Sequence, residues 1–321
     1  MPENDMSAIH QKEIASLSVV IPTKNREECL LECLNSLFEQ DYLPKEVIIV
    51  DQSSKDAEER IKSVIPHSIN LIYVYDPKID GATRARNIAL KYVTGEFVLL
   101  LDDDVILLNN AIKNMLSIFA KDTKREIGGL GGFIVNEKPP FYFLLARMFF
   151  LGPFSFYNHQ SIFQWKARKC DGLLQLSKLI PAGASCIRTE VLKEFKFDEI
   201  YSGYSYGEDS IFGYVVSSRY KLFLYSGLKF FHKRLNSPRD DSGRNIQMQI
   251  IWWFYFFNKY VKKSTYNYIC YVWSIVGIIL KVLIGFYDLR LLRGAVYGFR
   301  SIIRIILKRS TLENEIRNSF S

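Results

Sequence analysis

Three consecutive carboxylates, Asp102, Asp103 and Asp104, are the residues whose type and spacing most directly suggest chemistry. They follow the apolar run Val98–Leu101, which is typical of a buried strand. Like charges at a buried strand end raise one another's pKa unless a cation lies between them. Mg²⁺ and Mn²⁺ bind one or two carboxylates together with phosphate oxygens, so this spacing suits an ion that carries a nucleotide diphosphate. The alternative is an exposed acidic turn that caps the following helix.

Asp209 is the second acid in the segment Gly207–Ser210, which precedes a helical pattern. Acidic side chains in the first turn of a helix are stabilised by the helix dipole, so a capping role alone would account for Asp209. The same dipole would keep the carboxylate ionised and able to accept a proton as a general base, although a lowered pKa weakens that base. Both interpretations are open from the residues alone.

Arg84 and Arg86 lie near the start of a helix predicted over Ala82–Val93. Positive charges at that end oppose the helix dipole, which favours a nearby anionic diphosphate over the alternative of a surface ion pair. His232 follows an apolar run, and a single histidine in that setting is more often a satisfied core or surface residue than a metal ligand. The residues alone therefore indicate a phosphate contact at the arginines but assign no role to His232.

Apolar runs and helical patterns alternate through the first third of the chain, and this rhythm predicts an α/β fold. Strands joined by helices of this length form a mostly parallel central sheet through right-handed crossovers. The predicted strands are Leu17–Ile21, Glu46–Val50, Leu71–Tyr75 and Phe97–Leu101. Polar residues follow three of them, at Pro22–Asn25, Asp51–Ser54 and Asp102–Asp104. Ligands of open α/β sheets bind outside the carboxyl ends of the strands, so these segments are predicted to meet at one site.

The order of several segments resembles the family 2 glycosyltransferases, which have the GT-A (nucleotide-diphospho-sugar transferase) fold. The segments that carry the resemblance read SVVIPTKNREECLLECLNSL, EVIIVDQSSKD, GATRARNIAL, GEFVLLLDDDV, IPAGASCIRTEVL and YGEDS. They extend from about Leu17 to His232, and their combination is far more specific than any one of them. The resemblance implies a GT-A fold, a divalent metal ion (Mg²⁺ or Mn²⁺) and sugar transfer with inversion of the anomeric configuration.

The resemblance also implies roles for individual residues. Asp209 would be the base that deprotonates the acceptor hydroxyl. Asp104 would be the metal ligand proper, and His232 matches a late histidine that often completes the metal site. Asp102 would contact the ribose or the metal-bound nucleotide, and Asp103 has the least defined role in donor binding. The other donor-binding residues would be Pro22, Thr23, Asn25 and Asp51 at the nucleoside, and Arg84, Arg86 and Asn87 near the nucleotide. Gln52 stands where the family frequently has a second acid.

The implied function is an inverting glycosyltransferase that moves a sugar from a nucleotide diphosphate sugar to an acceptor hydroxyl, in cell-surface polysaccharide or glycolipid synthesis. The alternatives from other classes are a metal-dependent nucleotidyltransferase or phosphatase that uses the same acidic strand end, and a non-catalytic membrane assembly partner. A phosphatase with an aspartyl nucleophile carries its acidic motif after the first strand. The acids follow a later strand here, which counts against that class.

The C-terminal part of the chain is basic and apolar. The 321 residues carry a formal charge of +8, and Lys233–Ser321 contains 15 Lys or Arg against 5 Asp or Glu. These charges interleave with aliphatic side chains, which favours an anionic membrane surface as a partner over nucleic acid. Tyr268–Tyr287 is long enough to approach a membrane span, but basic residues flank it on both sides. Interfacial helices are therefore favoured over a true span or re-entrant hairpin, and over a buried helix pair.

These observations divide the chain into an N-terminal extension (residues 1–16), a GT-A domain (residues 17–232) and a basic apolar helical tail (residues 233–321). Residues 1–16 contain no apolar run of a secretory signal, and the cysteines lack zinc-site spacing. The expected location is therefore the cytoplasmic face of the cell membrane. The aromatic stretch Phe141–Tyr157 is either a core helix or a second membrane-facing surface, which would present a lipid-linked saccharide acceptor to Asp209.

Overall fold

The structure is a computed structural model, and it describes residues 16–136, 148–150, 154–156, 166–200, 203, 206–233, 241–285 and 288–320. The first elements are β1 (Leu17–Thr23), α1 (Glu27–Phe38), β2 (Glu46–Asp51), α2 (Glu58–Val64), β3 (Asn70–Tyr75), α3 (Ala82–Ala89) and β4 (Phe97–Leu101). The chain continues with β5 (Val105–Leu107), α4 (Ala111–Lys121), β6 (Ile127–Ile134), β7 (Leu174–Ser177), β8 (Ala184–Arg188), α5 (Thr189–Glu194), α6 (Glu208–Val216) and β9 (Lys221–His232). The helices that follow are α7 (Ser242–Tyr260), α8 (Thr265–Ile284), α9 (Leu289–Ile306) and α10 (Leu312–Phe320).

The described strands form one mixed sheet in the order β3-β2-β1-β4-β8-β6-β9-β5, and β7 pairs with β9. This arrangement confirms the predicted α/β class. Strands β1 to β4 are parallel, as predicted, because a helix returns the chain before each next strand. Beyond β4 the pairing is mixed, since β8 runs antiparallel to both β4 and β6. Only residues 102–104 separate β4 from β5, too few for the crossover that parallel pairing with β4 would require.

Helices cover both faces of this sheet. Alternate residues of β1 point to opposite sides, as the pleat of a strand requires, so Ile21 lies in one apolar core and Val20 in the other. Helices α1, α2 and α4 bury their apolar residues in the first core, and α3, α5 and α6 bury theirs in the second. Both faces of β1, β2 and β4 are therefore buried, which explains their continuous apolar runs, Val19–Ile21, Val47–Val50 and Phe97–Leu101.

Strand β6 contains the run Gly128–Gly132 and lies between β8 and β9. A side chain would not fit at several of these glycines. A Cβ on Gly131 would lie 2.7 Å from Pro181 Cδ, and one on Gly132 would lie 2.4 Å from Phe230 Cε1. The glycines therefore allow neighbouring side chains to pack directly over the strand backbone.

The C-terminal helices α8, α9 and α10 pack around α7. Most of α7 is buried, including Trp252, Tyr255 and Phe256, in a third apolar core. Helix α9 packs closely on α7, because Gly294 and Gly298 present no side chain at the contact. Among the described residues, α8 is the one helix whose length and apolar composition would suffice to cross a membrane.

Much of the aromatic stretch Phe141–Tyr157 lies outside the described residues, and only residues 148–150 and 154–156 can be placed. Phe149 stacks on Trp273 of α8 with ring centroids 4.7 Å apart. Phe156 lies 5.8 Å from the ring of Trp253 in α7. These two phenylalanines are buried, so this part of the stretch packs against the C-terminal helices.

Replacement of Gly294 by alanine is predicted to loosen the contact between α7 and α9. A Cβ at this position would lie 1.9 Å from the Gly243 carbonyl oxygen, so the helices would have to separate. We expect a loss of about 1–3 kcal/mol in the free energy of unfolding, measured by chemical denaturation, as for other overpacked contacts. Val296→Ala on the exposed side of the same helix is the control and should change stability by less than about 0.5 kcal/mol. Equal stability of both variants would contradict this view of the contact.

Candidate active site

The carboxyl ends of β1, β2 and β4 meet at one edge of the sheet. Thr23 and Asp51 are the last residues of β1 and β2, and they are partners in the parallel register. The hydroxyl of Thr23 donates to Asp103 Oδ2 at 2.7 Å, which joins the end of β1 to the residues that follow β4. The three polar segments predicted to converge are therefore neighbours in the fold.

A cleft of about 200 Å³ opens beside this edge. The described residues that line it are Thr23, Asn25, Glu27, Leu30, Asp51, Ser53, Ser54, Lys55 and Ala57. Asp51 is buried and oriented by two donors, the Tyr73 hydroxyl and the Ser53 amide, the latter 2.8 Å away. Asn25 has a positive φ of 56°, and its side-chain oxygen accepts from the Ser54 amide at 2.9 Å. Pro22 is buried within β1 next to Thr23, so it shapes the backbone here.

The three aspartates after β4 point to different partners. Asp102 Oδ1 accepts from Arg86 at 2.7 Å. Asp103 accepts from Thr23, and its other oxygen lies 3.3 Å from the Arg26 guanidinium. Asp104 lies 3.4 Å from the same guanidinium and 3.1 Å from His232 Nε2. Each carboxylate thus has a cationic side chain beside it, Arg86 for Asp102 and the shared Arg26 for Asp103 and Asp104, which reduces their mutual repulsion.

Burial and local charge give Asp103 and Asp104 different acidities. Burial raises the pKa of Asp103 to about 6, although the Thr23 hydrogen bond and the Arg26 charge oppose the rise. Burial also acts to raise the pKa of Asp104, but the hydrogen bond and charge of His232, with Arg26, outweigh it and lower that pKa. Asp104 is therefore held as an ionised carboxylate.

Backbone pairing brings His232 to Asp104. Strands β5 and β9 are antiparallel, with Val105 opposite His232, and the Lys233 amide donates to the Asp104 carbonyl oxygen at 3.0 Å. Asn136 reinforces the strand end, because its side chain bonds both the amide and the carbonyl group of His232. A residue 128 positions further along the chain is thereby fixed beside the acidic strand end.

Asp104 and His232 fit a divalent ion that arrives with its substrate. Among the described residues, no group of three or more His, Cys, Asp or Glu side chains forms a ready-made metal cage. Mg²⁺ and related ions in phosphate-handling sites typically take one or two protein ligands and complete their shell with substrate phosphates and water. The Asp104 carboxylate oxygen and the His232 imidazole nitrogen, 3.1 Å apart, could supply these one or two protein ligands.

Arg86 forms a buried double ion pair. Its side chain is 2% exposed and lies between Asp102 and Glu208, with Phe197 stacked 5.5 Å from the guanidinium carbon. Burial alone would lower the pKa of Arg86, but the two carboxylates outweigh it and raise the pKa. Burial raises the pKa of Glu208, and Arg86 offsets only part of that rise. The pair connects the strand end at Asp102 to the start of α6.

Arg84 and Asn87 contact a loop rather than the strand ends. Arg84 is exposed and lies 3.6 Å from Glu199. The Asn87 side chain donates to the Phe197 carbonyl oxygen at 2.8 Å and accepts from the Phe197 amide at 3.1 Å. The three residues predicted near the nucleotide on α3 thus have different surroundings, and only Arg86 reaches Asp102.

Asp209 lies in the first turn of α6, directly after the buried Glu208. Its Oδ1 accepts from the Ser210 amide at 2.8 Å, and the helix dipole favours a negative charge in this first turn. The N-cap residue of the helix is Gly207, which has a φ of +73°. Trp252 of α7 donates to the Gly207 carbonyl oxygen at 3.2 Å, and a Cβ on Gly207 would lie 2.3 Å from Trp252 Nε1.

Four residues of this region were not predicted from the sequence. Arg26 and Glu208 supply charge partners, Trp252 supports the start of α6, and Gly183 makes room for Asp102. A Cβ on Gly183 would lie 2.0 Å from Asp102 Oδ2. Glu208 was visible as the first acid of the Glu-Asp pair, but its partner is 122 residues away and no local pattern identifies it.

The chain has the GT-A glycosyltransferase fold, with the acidic residues placed directly after β4. Residues 1–349 of TarS from Staphylococcus aureus superpose with a TM-score of 0.56 at 20% identity, over 95% of this chain and 90% of that chain. The mannosyltransferase PcManGT from Pyrobaculum calidifontis, solved with GDP-Man and Mn²⁺, gives 0.56 at 15% identity, over 95% and 86%.

Sequence comparison finds a family match in the first part of the chain. Residues 18–172 match Glycosyl transferase family 2. TarS (poly(ribitol-phosphate) beta-N-acetylglucosaminyltransferase, S. aureus strain Mu50) is 38% identical over 101 residues, 30% of this chain and 18% of its own length. The amylovoran biosynthesis glycosyltransferase AmsB of Erwinia amylovora is 31% identical over 195 residues, 58% of this chain and 60% of its own.

A third relative is the Escherichia coli enzyme WfgD, UDP-Glc:alpha-D-GlcNAc-diphosphoundecaprenol beta-1,3-glucosyltransferase. It is 29% identical over 106 residues, which are 33% of this chain and 42% of WfgD. The matched regions therefore span less than two thirds of each of these three relatives.

Removal of the Arg86 charge is predicted to be costly. Arg86→Met would leave Glu208 buried without its cation, and breaking a buried pair in this way costs about 3–5 kcal/mol of the free energy of unfolding. Arg84→Met on the same helix is the matched control, because its ion pair is exposed and should contribute less than about 1 kcal/mol. Chemical denaturation of the two variants checks the difference, and similar losses would refute the assigned role of Arg86.

Removal of the Trp252 indole donor is predicted to weaken the start of α6. Trp252→Phe keeps an aromatic ring but removes the indole hydrogen bond to the Gly207 carbonyl, which then accepts only from the Ile211 amide, at a cost of about 0.5–1.5 kcal/mol in stability. Hydrogen exchange of the α6 amides should accelerate, because the helix start loses its external anchor. Trp273→Phe, whose indole donates to the Met148 carbonyl instead, is the control and should leave α6 exchange unchanged.

Proposed function

We propose that this protein is an inverting glycosyltransferase that moves a sugar from a nucleotide diphosphate sugar to an acceptor hydroxyl. The observation that carries the proposal is the Asp104–His232 contact at 3.1 Å, next to the cleft lined by Thr23, Asn25 and Asp51. The match to Glycosyl transferase family 2 supports the reaction class. The names of TarS, WfgD and AmsB support a role in the synthesis of cell-surface polysaccharide or glycolipid.

The proposed donor site extends from the cleft to the acidic strand end. Asp51 and Asn25 bind the nucleoside, since both are oriented by fixed hydrogen bonds at the cleft wall. Asp102 and Asp103 lie between the cleft and Asp104, next to the nucleotide. A bound Mg²⁺ or Mn²⁺ would stabilise the charge that develops on the leaving diphosphate. Asp104 and His232 are the protein groups that would hold such an ion.

The proposed catalytic base is Asp209. It follows Glu208, whose pairing with Arg86 ties the start of α6 to Asp102 and so to the donor site. Asp209 is partly exposed and can receive the acceptor proton, while the Glu208 carboxylate is engaged in its ion pair with Arg86. Attack by the deprotonated hydroxyl on the side opposite the diphosphate gives the inverted product.

The proposed acceptor is a saccharide or lipid-linked saccharide, and the proposed location is the cytoplasmic face of the cell membrane. WfgD acts on a diphosphoundecaprenol-linked sugar by its name, and one apolar helix of this chain, α8, could serve as an anchor. Residues 17–232 would form the catalytic domain, and residues 233–321 would form the membrane-associated part.

Turnover measured with a panel of nucleotide sugars tests the proposed sugar transfer. The wild type should release a nucleoside diphosphate from its preferred donor in the presence of Mn²⁺, and EDTA should abolish release. Asp104→Asn and Asp209→Asn should each lower turnover by about 10²–10⁴-fold, through loss of a metal ligand and of the base. The exposed Asp171→Asn is the control and should keep full turnover.

The affinities of the two variants for nucleoside diphosphate distinguish the role of Asp104 from that of Asp209, and the reaction products distinguish the class of enzyme. Asp209→Asn should keep wild-type affinity for nucleoside diphosphate with Mn²⁺, measured by calorimetry, whereas Asp104→Asn should lose affinity. Release of pyrophosphate instead would indicate a nucleotidyltransferase. Absence of turnover with every donor, although the protein is folded, would indicate a non-catalytic partner. Full turnover in both variants would contradict the proposed site.

A further inference from the structure

Helix α9 has most of its large apolar residues on the outside and mainly small residues on the inside. Its buried residues are Gly294, Ala295, Gly298, Ser301 and one large residue, Ile302, and the two glycines contact α7. The outward residues Leu289, Leu292, Val296, Ile303 and Ile306 are 52–62% exposed. A surface helix of a water-soluble protein normally has the opposite arrangement, with its large apolar side chains facing the core.

The exposed apolar residues of α9 form one continuous stripe. Successive members are three, four, seven and three residues apart, and at about 100° per residue they all lie within about one third of the helix circumference. The partly exposed Phe299 fills the seven-residue interval. The stripe therefore extends from one end of the helix to the other.

A row of arginines borders this stripe. Arg293, Arg300 and Arg304 are exposed and lie about 70–110° around the helix from the centre of the stripe. Arg304 has a weak contact with Glu315 at 3.7 Å. Neither α8 nor α9 contains an Asp or Glu residue. The outer surface of these helices is thus largely apolar, and the charged side chains that the two helices contribute to it are all basic.

Helix α8 adds a second exposed apolar stripe. Its outward residues Ile269, Val272, Val276, Ile279 and Leu283 are 38–59% exposed and repeat every three or four residues. Its inward residues, including Cys270, Ile278 and Val282, belong to the apolar core around α7. Because this inward face is already packed on the protein, α8 lies against the domain with only its outer side available.

We propose that the outer stripes of α8 and α9 form a docking surface for an anionic lipid bilayer, with α9 lying in the headgroup region. The apolar stripes enter the boundary between headgroups and acyl chains, and the arginine row contacts lipid phosphates. This proposal rests on the membrane location given under Proposed function and names the residues responsible.

A second copy of the chain fits this surface less well than a bilayer. A twofold contact between such faces would bring Arg293 and Arg300 near their own copies, and neither helix has an acid to pair with them. An anionic lipid surface supplies the missing negative charge and accepts the apolar stripe at the same time.

The docking surface is one helix away from the proposed active site. Helix α7 contacts α9 at Gly243 and Ile250, and it contacts the start of α6 through Trp252. Docking by α9 would therefore fix the orientation of Asp209 relative to the bilayer through α7.

Vesicle sedimentation with the full-length protein tests the surface. The wild type should bind phosphatidylcholine vesicles that contain phosphatidylglycerol about tenfold or more tightly than phosphatidylcholine alone, and high salt should reduce this preference. Leu292→Ser/Val296→Ser/Ile303→Ser should lose binding to both kinds of vesicle. Arg293→Gln/Arg300→Gln should lose the preference for phosphatidylglycerol and keep the weak binding to phosphatidylcholine.

Matched controls use exposed residues of the catalytic domain. Lys121→Gln/Lys124→Gln removes two charges, and Leu176→Ser removes an exposed apolar residue; both should bind vesicles as the wild type does. Thermal unfolding shows whether the variants are folded. Because vesicle binding needs neither donor nor acceptor, vesicle binding without turnover would count against the proposed reaction alone.

Three outcomes would contradict the proposal that α8 and α9 form a docking surface. The first is wild-type vesicle binding by the folded triple serine variant. The second is a wild-type dimer in solution that this variant dissociates, with no vesicle binding by either protein. The third is resistance of the membrane-bound wild type to alkaline carbonate extraction, which would indicate a helix that spans the bilayer.

Discussion

The buried guanidinium of Arg86 is the interaction on which the rest of the proposed site depends. It neutralises Asp102 at the end of β4 and Glu208 at the start of α6, two segments that no strand pairing joins. Without this cation, the Glu208 carboxylate, whose side chain is only 11% exposed, would lose its charge partner, which is unfavourable by several kcal/mol. The position of Asp209 relative to the acidic strand end therefore follows from an ion pair, whereas His232 is positioned by backbone pairing.

Local patterns were sufficient to predict the first four strands and their polar ends, because each parallel strand contains a continuous apolar run with polar residues after it. They did not reveal β6, whose glycines have low strand propensity and serve to let other side chains pack over them. They also could not separate Arg86 from Arg84 and Asn87. These three share a helix turn, but only tertiary contacts decide which of them meets Asp102.

The C-terminal helices show a similar limit. Composition predicted an apolar, basic region, but the periodicity of α7 is hidden by aromatic residues on nearly every side of the helix. The structure shows why this composition occurs. Helix α7 is surrounded by α6, α8, α9 and α10, so most of its surface requires apolar side chains, and only the outer helices keep exposed stripes.

Helix α7 also limits how far the chain can be treated as modular. Asp198 of the catalytic half accepts hydrogen bonds from Tyr255, Lys259 and Tyr260 of this helix, and Ile211 of α6 lies in the same apolar core. A chimera that exchanged everything after β9 with a relative would cut through these contacts. Exchange of α8 to α10 alone would retain them, so a boundary for exchange in this chain lies after α7 rather than after β9.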